Sequence, residues 1–239
     1  NFNQLSVSAG VVLVGYGRSG LPTVLQSQVA GKAITLGGDG AGLMNIVVDG
    51  VNNVTGGIGV YSKAGDETIM NNVLIKRFAT GLHQKGGRRA NWREFYIDAC
   101  GTGAKLHGDS GAGDGDGGDQ WRNNRWMGGV VSNCTTIGVD LSYEDRKAYE
   151  NTLSIGFENN TGTGLKINGA RITDISGSWF SGNTTNFLIQ DDTLATVTDN
   201  TVIGVKYNNG SITGGAATYN GLCQDVVFDG VALSDVDFT

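Results

Sequence analysis

The segment Gly81-Leu82-His83-Gln84 returns as Gly103-Ala104-Lys105-Leu106, and this recurrence decides the fold. Each copy is a glycine, or once an asparagine, followed by an apolar–any–apolar triplet, from which polar Gln84 and small Ala104 depart. The other copies are Gly57-Ile58-Gly59-Val60, Gly138-Val139-Asp140-Leu141, Gly164-Leu165-Lys166-Ile167 and Asn186-Phe187-Leu188-Ile189. The intervals are 24, 22, 35, 26 and 22 residues. A short unit that cannot bury its apolar side alone predicts coils that stack.

The pattern predicts an all-β parallel solenoid with coils of about 22–26 residues. Glycine is expected at sharp corners, where it adopts a positive φ without steric cost. Asparagines that recur once per coil are expected to form hydrogen-bonded ladders. A single proline among 239 residues fits this fold, because proline removes a ladder donor.

Composition excludes several other classes. Forty glycines disfavour a helical bundle, and they follow no collagen period. The net charge of −6 argues against nucleic-acid binding, and no apolar run is long enough to span a membrane. Three widely spaced cysteines predict free buried thiols in a chain assembled without disulfides, rather than a zinc site.

The first coils carry a family resemblance. It lies in Leu5-Ser6-Val7, in 11–17, in Thr23-Val24-Leu25, in 33–36 and in 45–50. These segments resemble the early coils of the pectate-lyase superfamily, and in particular the right-handed β-helices of bacteriophage tailspikes and capsule depolymerases. The resemblance implies a right-handed β-helix, a side-by-side homotrimer, and a place in a phage tail or outside the cell. The family's capping Asp-Asp-Thr helix is absent, so residues 1–239 are expected to be one β-helix domain cut from a longer chain.

Strand alternation places both histidines on one outer face. With the residue after each repeat glycine facing inward, two outward columns follow. The first column is Gly59, His83, Lys105, Asp140, Lys166 and Leu188, and the second is Tyr61, Lys85, His107, Ser142, Asn168 and Gln190. Insertions at 108–119 and 142–147 leave the solenoid after adjacent strands of this face. The face is either a plain solvated surface or a binding site flanked by two insertions.

Two chemistries suit this face. Glycoside hydrolysis needs a carboxyl pair, which Asp140 can form with Glu144 or Asp145. A uronate lyase needs a base and cations, which His83, Lys85, Lys105 and His107 can supply. We therefore take Asp140, Glu144, Asp145 and His107 as catalytic candidates. The candidates for binding substrate are His83, Lys85, Lys105, Trp121, Tyr143 and Arg88.

Three further features admit two interpretations each. Asp114, Asp116 and Asp119 offer Ca²⁺ ligands, but their spacing does not fit an EF-hand loop, so a solvated insertion without a cofactor is favoured. Arg88, with its basic neighbours Arg89 and Arg93, could meet an acidic glycan or pair with acids of a neighbouring coil or subunit. Trp126 and Trp179 are expected in the core, and Trp121 is expected to be exposed.

The favoured function is a tailspike-type protein that binds and depolymerises a bacterial capsule, exopolysaccharide or O-antigen, with hydrolysis preferred. One alternative is a receptor-binding or structural spike that does not cleave. The other is a secreted lyase that acts on a uronate-containing glycan.

Overall fold

The computed structural model describes residues 4–17, 22–28, 30–63, 65–108, 121–142, 148–168, 171–175 and 178–190, with five short strands beyond them. Those strands are β17 (Lys206–Asn208), β18 (Ile212–Thr213), β19 (Ala216–Asn220), β20 (Val227–Asp229) and β21 (Val236–Phe238). The described residues contain no helix, and every strand pairing among them is parallel. The predicted parallel β-solenoid is confirmed.

Face 1 of the solenoid is one continuous parallel stack. Its strands are β1 (Leu5–Ser8), β4 (Lys32–Gly37), the ends of β5 (Gly42–Lys63) and β6 (Ile69–Lys85), β8 (Thr102–His107), β11 (Ile137–Ser142), β13 (Thr163–Asn168), β16 (Thr185–Gln190), β19 and β21. The repeat units of the sequence lie on this face.

Two further faces complete each coil, and the longer strands bend from one to the other. Face 2 holds β2 (Val12–Val14), the first parts of β5, β6, β7 (Asn91–Asp98) and β10 (Arg125–Ser132), the middle of β12 (Ala148–Glu158), β14 (Arg171–Asp174), β17 and β20. Face 3 holds β3 (Thr23–Ser27), the following parts of β5, β6, β7, β10 and β12, and then β15 (Trp179–Ser181) and β18. The short strand β9 (Trp121–Arg122) pairs with the start of β12.

The repeat glycines form a column, but the reason for glycine at these positions is not the positive φ that we expected. None of Gly81, Gly103, Gly138 and Gly164 has a positive φ. A Cβ on Gly81 would lie 2.6 Å from the Gly103 carbonyl oxygen and 2.7 Å from Ile97 Cγ2. Glycine is required here because adjacent coils pack too closely for a side chain.

The column also corrects the register of the first repeat. A Cβ on Gly59, not Gly57, would meet the Gly81 carbonyl oxygen, at 2.7 Å. Val60 accordingly pairs with Leu82, and Tyr61 pairs with His83. The first unit is therefore Gly59-Val60-Tyr61-Ser62, two residues later than the sequence pattern suggested.

Both glycines and other residues supply the left-handed backbone: among the described residues, nine glycines outside the repeat column and eleven other residues have a positive φ. The non-glycine residues with positive φ are Asn45, Glu67, Asn72, Arg77, Arg89, Glu94, Ala99, Asn123, Asn133, Glu150 and Asn159. Asparagine tolerates this conformation best, and the remaining residues are held there by the hydrogen bonds of the stacked coils.

Buried asparagines form the predicted ladders. Asn160 donates from Nδ2 to Asn183 Oδ1 at 2.7 Å and accepts from the Cys134 amide at 3.0 Å. Asn124 and Asn151 make a second ladder, with Nδ2 of Asn124 donating to Oδ1 of Asn151 at 3.1 Å. Each rung satisfies main-chain groups at a buried corner, which would otherwise cost stability.

The interior is largely apolar, and polar side chains are buried at the corners and under face 1. Trp92, Phe95 and Trp126 form an aromatic cluster, with Phe95 and Trp126 ring centroids 5.0 Å apart. Gln84 is completely buried, and neither of its amide atoms has a hydrogen-bond partner.

Two of the three cysteines lie in the described residues, and both are buried free thiols, as predicted. Burial raises the pKa of Cys100 to about 11 and that of Cys134 to about 12. Cys223 lies outside the described residues. The described part of the chain also contains no helix that is long and apolar enough to cross a membrane.

Candidate functional site

Face 1 carries a band of outward polar residues that we call the cationic strip. Its first column is Tyr61, His83, Lys105, Asp140 and Lys166, and its second is Lys63, Lys85 and His107, with Lys32 beside them. The predicted order from His83 to Lys166 is confirmed. The shifted first repeat places Tyr61, rather than Gly59, beside His83, and it adds Lys63 beside Lys85.

His83 and His107 are diagonal neighbours on adjacent coils. Their Nε2 atoms are 2.8 Å apart, and the ring centroids are 5.0 Å apart. Nδ1 of His107 lies 3.0 Å from the Gly108 carbonyl oxygen, which can only accept a hydrogen bond. Nδ1 of His107 therefore carries a proton. When His107 is neutral, its Nε2 has none and accepts the hydrogen bond that Nε2 of His83 donates. A neutral His83 then has its lone pair at Nδ1.

The two histidines differ in access. His107, expected to face outward, is only 1% exposed, whereas His83 is half-buried. Because a buried ring cannot reach a polymer, His107 holds His83 in place rather than contacting a ligand directly. His83 is the more exposed of the two histidines on this face.

Tyr61 continues the aromatic contacts at the N-terminal end of the strip. Its ring meets His83 edge-on, with centroids 5.4 Å apart, and Lys32 Nζ lies 3.4 Å from the centre of the Tyr61 ring. Burial, followed by the charge of Lys63, lowers the pKa of Lys32. The strip therefore begins with an ammonium held over an aromatic face, a cation–π contact.

Charge along the strip is strongly unequal. Among the described residues of the strip, four lysines and two histidines in the columns, together with Lys32, surround one carboxylate, Asp140, which is half-buried and in register with Lys105 and Lys166. Beyond the strip, the first column continues in register through Leu188 and Thr218 to Asp237. Lys63 and Lys85 are directly in register, as like charges that repel each other. In a chain of net charge −6, such a concentration of cations favours the binding of an anion.

Arg88 and Trp121 do not contribute to the strip. Arg88 Nη2 lies 3.0 Å from Asp66 Oδ2 of the preceding coil, which is the expected pairing with a neighbouring coil. Trp121 is 1% exposed, contrary to the exposed position that we expected, and its ring packs 6.2 Å from Trp92. A ring at the edge of an insertion is not necessarily accessible.

The other candidates lie outside the described residues: Tyr143, Glu144, Asp145, Asp114, Asp116 and Asp119. Within the described residues, no group of three or more His, Cys, Asp or Glu side chains could hold a metal ion.

Sequence analysis missed Lys32, Lys63 and Trp179. The first two follow from the correct alignment of Gly59 with Gly81, which the strict interval of 22 residues to the next unit could have indicated. Trp179, expected in the core, is 36% exposed, whereas Trp126 is buried as predicted.

Comparison of the fold with solved structures places this solenoid beside viral proteins. It matches "Geobacillus virus E2 - ORF18" with a TM-score of 0.53 and 14% identity, over 98% of this chain and 52% of that one. It matches the Dettilon tailspike protein (gp208) with a TM-score of 0.53 and 11% identity, over 99% of this chain and 60% of that one. The chain thus spans between half and two thirds of these proteins, and the likeness is one of fold. No family model and no curated protein matches the sequence.

Proposed function

We propose that the chain is a tailspike-type β-helix that binds an acidic bacterial surface polysaccharide along the cationic strip and cleaves it. The observation that carries this proposal is the concentration of five lysines and two histidines around one aspartate in the cationic strip, between Lys32 and Lys166, of an acidic chain. A polyanion lying along the coil axis meets Lys32, Lys63, Lys85 and Lys105 on four successive coils, one rung of about 4.8 Å apart, and Lys166 two coils farther on, beyond Asp140. The tailspike-like fold and the resemblance of the early coils support the same assignment.

The described groups of the strip supply the requirements of β-elimination. Hydrolysis is the alternative, in which Asp140 would act with Glu144 or Asp145, both outside the described residues. Elimination needs a base and cations instead. His83 accepts the proton α to the uronate carboxylate while lysines offset the developing charge. The electron pair forms a carbon–carbon double bond, and the glycosidic oxygen leaves from the β carbon and takes up a proton from a neighbouring ammonium.

The cleavage assay separates the chemistries. Purified protein is incubated with capsule or lipopolysaccharide from a panel of bacteria, and both released oligosaccharide and the ultraviolet absorbance of unsaturated uronate ends are measured. Elimination gives both signals, hydrolysis gives oligosaccharide alone, and tight binding without product identifies a spike that only adheres. Absence of binding to every acidic polysaccharide in the panel contradicts the proposal.

We extend the proposal to a virion-associated homotrimer whose subunits meet through face 2. Exposed apolar side chains support this face, since Ile69 is 37% and Met127 is 47% exposed. Sedimentation equilibrium tests the assembly, with the mass of three chains expected for the wild type and of one chain for Met127→Glu. A wild-type monomer contradicts this extension, but it leaves the assignment of the strip intact.

A further inference from the structure

Face 3 carries an outward row of apolar side chains that the cationic strip does not use. The row runs in register through successive coils as Val24, Val47, Leu74, Tyr96 and Val130, and it ends at Trp179 after Gly156, which has no side chain. Tyr96 is 39% exposed and Trp179 is 36% exposed. Outward strand positions are normally polar, so a row without polar side chains indicates a contact surface.

A groove of about 760 Å³ covers the first half of this row. Val47, Leu74 and Tyr96 are among the residues that line it, and Asp98 supplies a carboxylate. Asp98 Oδ1 accepts hydrogen bonds from Ser132 Oγ at 2.8 Å and Asn133 Nδ2 at 2.7 Å, so the carboxylate is fixed in orientation. An apolar groove with a few oriented polar groups has the character of a ligand site.

Trp179 forms a flat surface farther along the same row. A Cβ on Gly156 would collide with Cε2 and Cζ2 of the Trp179 ring, so the indole rests directly on the Gly156 backbone. Its Nε1 donates to Glu158 Oε1 at 2.7 Å, which fixes the ring. Contact on one side and 36% exposure together leave an oriented aromatic surface open to solvent.

We propose that face 3 binds an uncharged glycan chain that runs along the coil axis, with sugar rings stacked over Tyr96 and Trp179. A hexose presents C–H groups on one face, and these pack on an aromatic ring. The hydroxyls at its edge can donate hydrogen bonds to the carboxylates of Asp98 and Glu158. These carboxylates repel an acidic chain, so the ligand of this face has no carboxylates directed at the row. Tyr96 and Trp179 are three rungs apart, about 14 Å, so one chain of several sugars reaches both.

This site is separate from the cationic strip in its face, its charge and its residues. The strip selects polyanions, whereas the row on face 3 selects a neutral chain. A polysaccharide with acidic and neutral segments, or two different surface glycans, could therefore engage both faces. The inference goes beyond the proposed cleavage and does not depend on it.

Affinity electrophoresis in native gels tests the inference. The full chain is run through gels containing dextran, pullulan or glucomannan, with polygalacturonate as the acidic comparison. The variants are Tyr96→Ala and Trp179→Ala, and the matched control is Val11→Ala, which truncates an exposed apolar side chain outside face 3 and outside the strands of face 2. We expect at least one neutral polysaccharide to retard the wild type and the control, with an apparent affinity at least fivefold lower in each aromatic variant.

Three results overturn the inference: no retardation by any neutral polysaccharide, equal retardation of all variants, or a change of assembly mass in Tyr96→Ala. The last result would mean that the row seats a second copy of the chain. Thermal unfolding of each variant shows whether it is folded. If Trp179→Ala does not fold, the affinity of Tyr96→Ala alone decides the test. A Lys105→Ala variant separates the two sites, because it should weaken retardation by polygalacturonate and leave retardation by the neutral chain intact.

Discussion

His83 and His107 share one hydrogen bond between their Nε2 atoms, at 2.8 Å, across two adjacent coils. The Gly108 carbonyl sets the tautomer of His107, and His107 in turn directs the Nε2 proton of His83. In the neutral ring this tautomer puts the lone pair of His83 on Nδ1.

The proposed elimination predicts that replacement of His83 removes cleavage and spares binding. We expect His83→Gln to lower turnover of an acidic polysaccharide by about 10²–10⁴-fold, the usual contribution of a positioned base. Binding in a catalysis-independent gel assay should change little, since the lysines remain. The control is Lys76→Gln, which alters a cation on face 3 and should turn over substrate normally. Equal turnover in His83→Gln and wild type would exclude His83 as the base.

Close coil packing predicts a steric penalty at the glycine column. Gly81→Ala places a Cβ 2.6 Å from the Gly103 carbonyl oxygen, and we expect a loss of about 1–3 kcal/mol in the free energy of unfolding. Gly31→Ala is the matched control, because a Cβ there meets nothing within 4 Å, so a change below about 0.5 kcal/mol is expected. Chemical denaturation of both variants measures the difference, and equal stability would refute the packing explanation.

The buried amide of Gln84 predicts a stabilising substitution. Both of its polar atoms lack hydrogen-bond partners, whereas Leu106 occupies the same register position one coil later. Gln84→Leu should raise the free energy of unfolding by about 1–3 kcal/mol, because it removes an unsatisfied buried group. Leu106→Gln should do the reverse. A destabilised Gln84→Leu would show that the amide is satisfied in solution.

The stability of the fold should decrease in acid as Asp49 becomes protonated. Burial alone would raise the pKa of Asp49, but the hydrogen bond from Arg77 and the charge of Lys76 outweigh it and hold the pKa below its ordinary range. Because the folded pKa is depressed, the stabilisation is complete above the ordinary aspartate pKa of about 3.9 and is lost as the pH falls through the folded value. Asp49→Asn should cost about 1–2 kcal/mol at neutral pH, given that Arg77 is partly exposed.

Thermal unfolding against pH measures this effect. The gap in melting temperature between wild type and Asp49→Asn should stay constant from neutral pH to about 5 and narrow below about 4. A gap that widens in acid would contradict the assigned direction of the pKa shift.

The sequence predicts most of face 1 because an anchor glycine starts each strand and alternation then orders the side chains. His83, Lys105 and Asp140 are found as expected for that reason. Gly57 and Gly59 lie two residues apart, so either fits the alternation, and only contact with Gly81 distinguishes them. The local sequence pattern does not distinguish Gly57 from Gly59, because the contact that selects Gly59 is made with the neighbouring coil.

Packing between coils also explains the two misplaced tryptophans. The exposure of Trp179 depends on Gly156, which is distant in sequence and supplies the flat backbone under the ring. Trp121 is buried because its ring meets Trp92 of the preceding coil. The backbone likewise places Glu67 and Arg89 in left-handed conformations that their propensities disfavour, since stacking fixes the corner.

Binding of acidic polysaccharide by the lysines of the cationic strip is the central claim, and affinity electrophoresis of Lys63→Ala/Lys85→Ala/Lys105→Ala tests it most directly. Bacterial capsular polysaccharides with and without uronic acids serve as gel matrices, and wild type and Lys76→Ala serve as references. We predict that uronate-containing matrices retard both references in a salt-dependent manner and that the triple variant loses at least tenfold in apparent affinity. Retardation of the folded triple variant equal to that of wild type would contradict the claim.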